Sequence, residues 1–139
     1  MKPEANTAIR AIGLCKTYGN HGNVAGTRVR AVENATLSVN PGEVLLIEGP
    51  NGSGKTTLLS MLGCLLPPTR GSLRILDEEV TGLSQARLTA FRIRNIGFVF
   101  QTFRLLNALT VSENVELPMA LARASREGSA RRTREHMDE

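Results

Sequence analysis

The chain has 139 residues, one domain's worth, and is 41% apolar but only 4% aromatic with no tryptophan, so its core must rest on Leu, Val, Ile and Ala. Its 17 basic residues against 13 acidic ones give a net charge of +4, which admits phosphate, acidic headgroups or nucleic acid as partners without choosing among them. Cys15 and Cys64 stand in unrelated contexts that make neither a disulfide framework nor a metal-ligand spacing, and no apolar run is long enough to span a bilayer. The expectation is a cytosolic chain with two small buried thiols, whose membrane contact is peripheral.

Ala8 to Tyr18 mixes apolar and basic residues as an exposed-face strand does, and Gly19 to Asn23 follows as a loop. Val29 to Val39 is a second strand, closed by the Asn40-Pro41-Gly42 turn. Two strands in succession, with no helix between them, predict a small antiparallel layer. Val44 to Ile47 is a continuous apolar run of the kind expected for a parallel strand covered on both faces. Leu58, Leu59, Met61, Leu62, Leu65 and Leu66 then recur at helical spacing until Pro67-Pro68 stops the helix.

Further on, Ser72 to Leu76 reads as a short strand, and Ser84 as the cap of a helix to about Arg94 with Leu88 and Phe91 inward. Ile96 to Phe100 reads as another buried strand, ending at Gln101. Thr110-Val111-Ser112-Glu113 is a capping box opening a helix, which Pro118 should bend or leave unsupported. From Arg123 to Glu139 the sequence is charged with almost no apolar stripe, a helical or frayed tail.

Between the apolar run and the helix lies Gly49-Pro50-Asn51-Gly52-Ser53-Gly54-Lys55-Thr56, which matches G-x-x-x-x-G-K-[ST]. Gly52 and Gly54 permit turns that aim consecutive backbone N–H groups inward, and the helix start adds the positive end of its dipole. Lys55 brings a point charge suited to β and γ phosphates, the Thr56 hydroxyl is a hard ligand of the kind Mg²⁺ accepts, and Thr57 can add a phosphate contact. A tight turn joining two elements is the plain alternative, but both flanks are of the type the phosphate loop demands.

These residues resemble the nucleotide-binding domain of ATP-binding cassette (ABC) transporters over about Ala8 to Ala122. Four features fall in the family's order: Leu14-Cys15-Lys16-Thr17-Tyr18, Pro41-Gly42-Glu43, the Walker A loop at 49 to 57, and Gly97-Phe98-Val99-Phe100-Gln101 leading into a Q-loop. Phe98 to Leu121 is most similar to the branch of lipoprotein-releasing and macrolide-export ATPases. The resemblance implies a P-loop NTPase core of α/β class with a small N-terminal antiparallel β layer, binding ATP and Mg²⁺. It implies that Tyr18 stacks on adenine, that Gly49 through Thr57 hold the nucleotide, and that Lys55 and Gln101 serve catalysis. Thr56 and Gln101 would attend the metal. It further implies a second nucleotide-binding domain and a membrane permease as partners, the latter received at Phe103, Leu105, Leu106 and Leu109 after Gln101. The expected place is the cytoplasmic face of the inner (plasma) membrane.

Residues 1 to 139 hold no LSGGQ-type signature, no switch histidine, and no run of four apolar residues ending in an Asp-Glu pair. Ile75-Leu76-Asp77-Glu78 is no such run, because Arg74 interrupts it and it comes too early, while His21 and His136 read as solvated surface residues. The expectation is therefore the front part of the domain, over 1–122, truncated before the signature and Walker B regions. Two functional readings stand: an ATP-binding subunit powering export or extraction through membrane partners, or a nucleotide-binding remnant that holds ATP without hydrolysing it. A nucleic-acid-binding role is not expected, since the arginines are scattered and no aromatic-basic platform accompanies them.

Overall fold

The computed structural model describes residues 7–19, 28–102 and 104–122, which fall into two compact units divided between Leu88 and Thr89. In the first unit β1 (Ile9–Tyr18), β2 (Val29–Val39), β3 (Arg70–Ile75) and β4 (Glu78–Glu79) form one antiparallel sheet in the order β2-β1-β3-β4. The expected antiparallel layer is present and includes two strands from beyond the glycine loop. Ile9 faces Val39 on one side and Ile75 on the other, and Ala11 faces Leu37 and Leu73.

Strict alternation would put Ala11 and Leu14 on opposite faces, yet both are fully buried. A bulge between them resolves this: Gly13 takes φ 60 and its N–H donates to Thr36 Oγ1 at 2.9 Å, shifting the register by one residue. The core of this unit gathers Leu14, Met61 and Leu73, with Val39, Ile75 and Val80 around them. Each such side chain contributes about 1.5–3 kcal/mol on burial. Helix α1 (Lys55–Leu62) supplies Met61 and Leu62 and lies against β1 and β2.

β3 and β4 are joined by Leu76 and Asp77, with φ 49 and 63, the two positive values of a type I′ hairpin turn. The Asp77-Glu78 pair thus belongs to a hairpin, in agreement with its rejection as a Walker B element. Behind the turn, burial pushes the Glu79 carboxyl upward. Hydrogen bonds from Thr81 and Ser72, and from the Thr81 and Leu73 backbone N–H groups, outweigh it and hold the group below its ordinary value.

Helix α2 (Gln85–Asn95) begins as expected: Ser84 Oγ accepts from the Arg87 N–H at 3.4 Å, and Leu88 and Phe91 are both buried. In the second unit a helix α3 covers 111–122. Its capping box is reciprocal: the Thr110 N–H donates to Glu113 Oε2 at 2.7 Å and the Glu113 N–H returns to Thr110 Oγ1 at 3.3 Å. The Thr110 N–H and the Thr110 hydroxyl, which also donates to Glu113 Oε2 at 2.8 Å, hold the Glu113 carboxyl below its ordinary value. The helix continues through Pro118. Asn114 pins the preceding loop, accepting from the Leu106 N–H at 2.8 Å and donating to the carbonyls of Leu106, Leu109 and Thr110.

Three expectations are corrected. Val44 to Ile47 is not a strand: the segment is unpaired and Val44 is 94% exposed. Ile96 to Phe100 is likewise unpaired, with Val99 wholly exposed and the rings of Phe98 and Phe100 stacked 5.6 Å apart. A parallel strand exists only between neighbours, and among the described residues neither segment has one. The helix after the loop ends at Leu62, not Leu66, because Cys64 adopts φ 56 and closes a Schellman motif. Its N–H bonds the Met61 carbonyl, and that of Leu65 bonds Ser60. Cys64 is buried as expected, while Cys15 is half-buried with its sulfur accepting from the Asn34 N–H.

No helix among the described residues is long and apolar enough to cross a membrane. Phe103, His21, His136 and the 123–139 tail lie outside the described residues.

Candidate functional site

The approach to the loop is set by the turn after β2, where the Glu43 N–H bonds the Asn40 carbonyl at 3.1 Å and the Asn40 N–H bonds Glu43 Oε2 at 2.7 Å. The chain then runs extended to Gly49 and turns through Gly52 and Gly54, at φ 81 and 89. A β-carbon on Gly52 would meet nothing within 4 Å, so only its backbone angle demands glycine there. A β-carbon on Gly54 would lie 2.0 Å from the Ala31 carbonyl oxygen. The loop is therefore pressed against the backbone of β2, and glycine is required for space as well as angle.

Gly54 is also the N-cap of α1. It provides no side-chain cap, and the first turn carries no acidic residue. The early N–H groups of the helix are left for an outside acceptor, at the end where the helix dipole is positive. Lys55 folds back so that Nζ donates to the carbonyls of Gly49 at 2.8 Å and Pro50 at 2.7 Å. An ammonium has three donors, so this arrangement fixes the charge at the loop and leaves one N–H for a ligand. Thr56 is exposed and Thr57 half-buried. This donor set has the chemistry of a phosphate site, with the Thr56 hydroxyl as a hard oxygen for a divalent cation. No cluster of acidic, histidine or cysteine side chains among the described residues competes for a metal.

Tyr18 ends β1, opposite Val29 of β2, and is 44% exposed. The Lys16 ammonium stands 5.6 Å from the ring centroid while donating to the Pro67 carbonyl at 2.7 Å. Val29 and Ala31 are two residues apart on one strand, about 6.6 Å. One edge strand thus carries both the partner of the aromatic ring and the buttress of the glycine loop. Ala31 carries no signal in the sequence, because its contact with the loop is made by its backbone carbonyl. Tyr18 and Gly49 through Thr57 all lie in the first unit. Gln101 is in the second unit, exposed on a bend after 96–100, with the Arg104 guanidinium 5.2 Å from the centroid of the nearby Phe100 ring.

The fold is that of an ABC ATPase cassette, α/β with an antiparallel layer. The solved dimeric cassette MJ0796 bound to ADP and Pi matches with a TM-score of 0.74 and 39% identity, over 82% of this chain and 47% of that one. The chain belongs to the ABC transporter family, whose profile matches residues 32–139. An ABC transporter ATP-binding protein of Thermotoga maritima is 46% identical over 111 residues, 80% of this chain and 47% of the relative. The lipoprotein-releasing system ATP-binding protein LolD 2 of Rhodospirillum rubrum is 44% identical over 112 residues, 81% and 47%. The macrolide export protein MacB of Rhodopseudomonas palustris is 44% identical over 106 residues, 76% and 16%. The likeness to the lipoprotein-releasing and macrolide-export branch is thus shared by named relatives. The chain spans about half the length of the first two.

Proposed function

We propose that Gly49 through Thr57 bind MgATP, and that the chain is the nucleotide-binding part of an ABC transporter ATP-binding subunit. The observation that carries this is the uncapped start of α1, fronted by Gly52 and Gly54 in left-handed conformation and by the Lys55 ammonium. Backbone N–H groups of the loop and Lys55 hold the phosphates, Thr56 offers its hydroxyl to Mg²⁺, Thr57 adds a phosphate contact and Tyr18 stacks on the base. Bound Mg²⁺ would neutralise charge on the phosphate oxygens. Gln101 serves the metal or attacking water and couples to membrane partners. In the assembled transporter the cassette pairs with a second one at the cytoplasmic face of the inner membrane. There it drives export or extraction through a permease seated on the segment after Gln101, where Leu105 and Leu106 are exposed.

A second reading concerns residues 1–139 by themselves: a module that holds ATP without turnover, since this stretch carries neither an acidic pair after a run of four apolar residues nor a signature loop. Loss of a positioned general base alone costs roughly 10²–10⁴ in rate. One experiment serves both readings: titrate a fluorescent ATP analogue with Mg²⁺ into the chain and into Lys55→Ala, and follow phosphate release in the same samples. Lys55→Ala should lose about 1.5–3 kcal/mol of binding, the range of a charged hydrogen bond. Equal dissociation constants overturn the site. Binding with phosphate release no faster than the variant's selects the second reading, and steady release well above it selects the first.

A further inference from the structure

We propose that the first unit carries a second anion site, for a small soluble phosphate-bearing molecule, on the opposite face of the sheet from Tyr18. A hollow of about 440 Å³ is lined there by Arg28, Arg30, Arg70, Thr17, Thr69 and Cys15. In the strand pairing Thr17 lies opposite Arg30 and Cys15 opposite Arg70. Tyr18, the next residue along β1, points to the other face, as does Lys16 beneath its ring. The hollow is thus separate from the ring assigned to adenine.

Its charge is unbalanced. Three guanidiniums meet one carboxylate, Glu33, which is already engaged by Arg30 at 2.8 Å. The side chains of Arg28 and Arg70 pair with none of the described residues. Guanidinium forks match the oxygens of a phosphate two at a time, and a dianion among them relieves their mutual repulsion. Thr69 adds a polarised donor: its Oγ1 accepts the Thr17 N–H at 3.1 Å, which leaves the hydroxyl hydrogen for a ligand. The volume lies within the range of about 300–1,000 Å³ usual for small-molecule sites, and a concave hollow of this size suits a free phosphate better than a bilayer surface.

The test is a titration of inorganic phosphate into the ¹⁵N-labelled 139-residue chain and three variants. The expected result is saturable amide shifts at Thr17, Arg30 and Arg70, retained in Lys55→Ala and weakened at least tenfold in both Arg28→Ser and Arg70→Ser. Both arginines are exposed, and unchanged amide positions for Leu14 and Leu73 certify the fold of each variant. Shifts confined to Gly49 through Thr57 and lost in Lys55→Ala overturn the proposal, as do unaltered affinity in both arginine variants or no shift at all. Arginine-dependent sedimentation with phosphatidic acid vesicles, alongside no response to free phosphate, also overturns it. Because Lys55→Ala disables the loop and spares the hollow, failure here is distinguishable from failure of the nucleotide assignment.

Discussion

The contact between Gly54 and β2 can be tested with a pair of alanine substitutions. Gly52→Ala and Gly54→Ala place a β-carbon at nearly the same backbone angle, φ 81 and 89, so each bears about 1–2 kcal/mol of left-handed strain. Gly52→Ala meets open space, whereas the new carbon of Gly54→Ala would lie 2.0 Å from the Ala31 carbonyl oxygen. An ordinary C···O contact is about 3.3 Å, so the loop must withdraw from β2 by about 1.3 Å. The obstruction is backbone, and trimming a neighbouring side chain such as Val32 does not relieve it. A displacement of that size misaligns the N–H groups at the start of α1 with any phosphate. MgATP affinity should therefore fall at least tenfold further in Gly54→Ala than in Gly52→Ala, about 1.4 kcal/mol, with a lower melting temperature as well. Fluorescent-nucleotide titration and thermal melts of both variants supply the comparison. Matching dissociation constants for the two would refute the buttress argument.

Tyr18→Ala should weaken MgATP binding while Tyr18→Phe should not, because the ring face and not the hydroxyl makes the contact; an alanine variant that binds like the parent would remove Tyr18 from the site. Glu79 has its folded-state pKa held below the ordinary carboxylate value, so its contribution to stability is present above that value and is lost as the pH falls through the lowered one. Melting temperature measured from about pH 6 to pH 3 should accordingly show a shallower acid decline in Glu79→Gln than in the parent. Superimposable declines would assign the acid sensitivity elsewhere.

The antiparallel layer, the glycine loop and both helix starts could be read from the chain because each rests on local chemistry: Ser84 and Thr110 with Glu113 cap helices through bonds spanning three residues. Val44 to Ile47 and Ile96 to Phe100 misled because an apolar run becomes a parallel strand only when other strands flank it, which no local pattern encodes. The end of α1 was hidden for a different reason. Cys64 has no propensity for a left-handed angle and takes one only as part of a hydrogen-bonded motif with Ser60 and Met61. Ala31 and Asn114 act through geometry: one sets its backbone carbonyl against Gly54, the other reaches four backbone groups at once. Their residue types alone announce neither role.

The central claim is that residues 49–57 form the nucleotide site, with Tyr18 beside them on the same edge of the sheet. Amide mapping of the ¹⁵N-labelled chain during titration with MgATP tests this most directly. Saturable shifts should peak at Gly52, Gly54, Lys55, Thr56 and Thr57, with a smaller set at Tyr18 and Val29. Saturable binding that leaves Gly49 through Thr57 unmoved would contradict it.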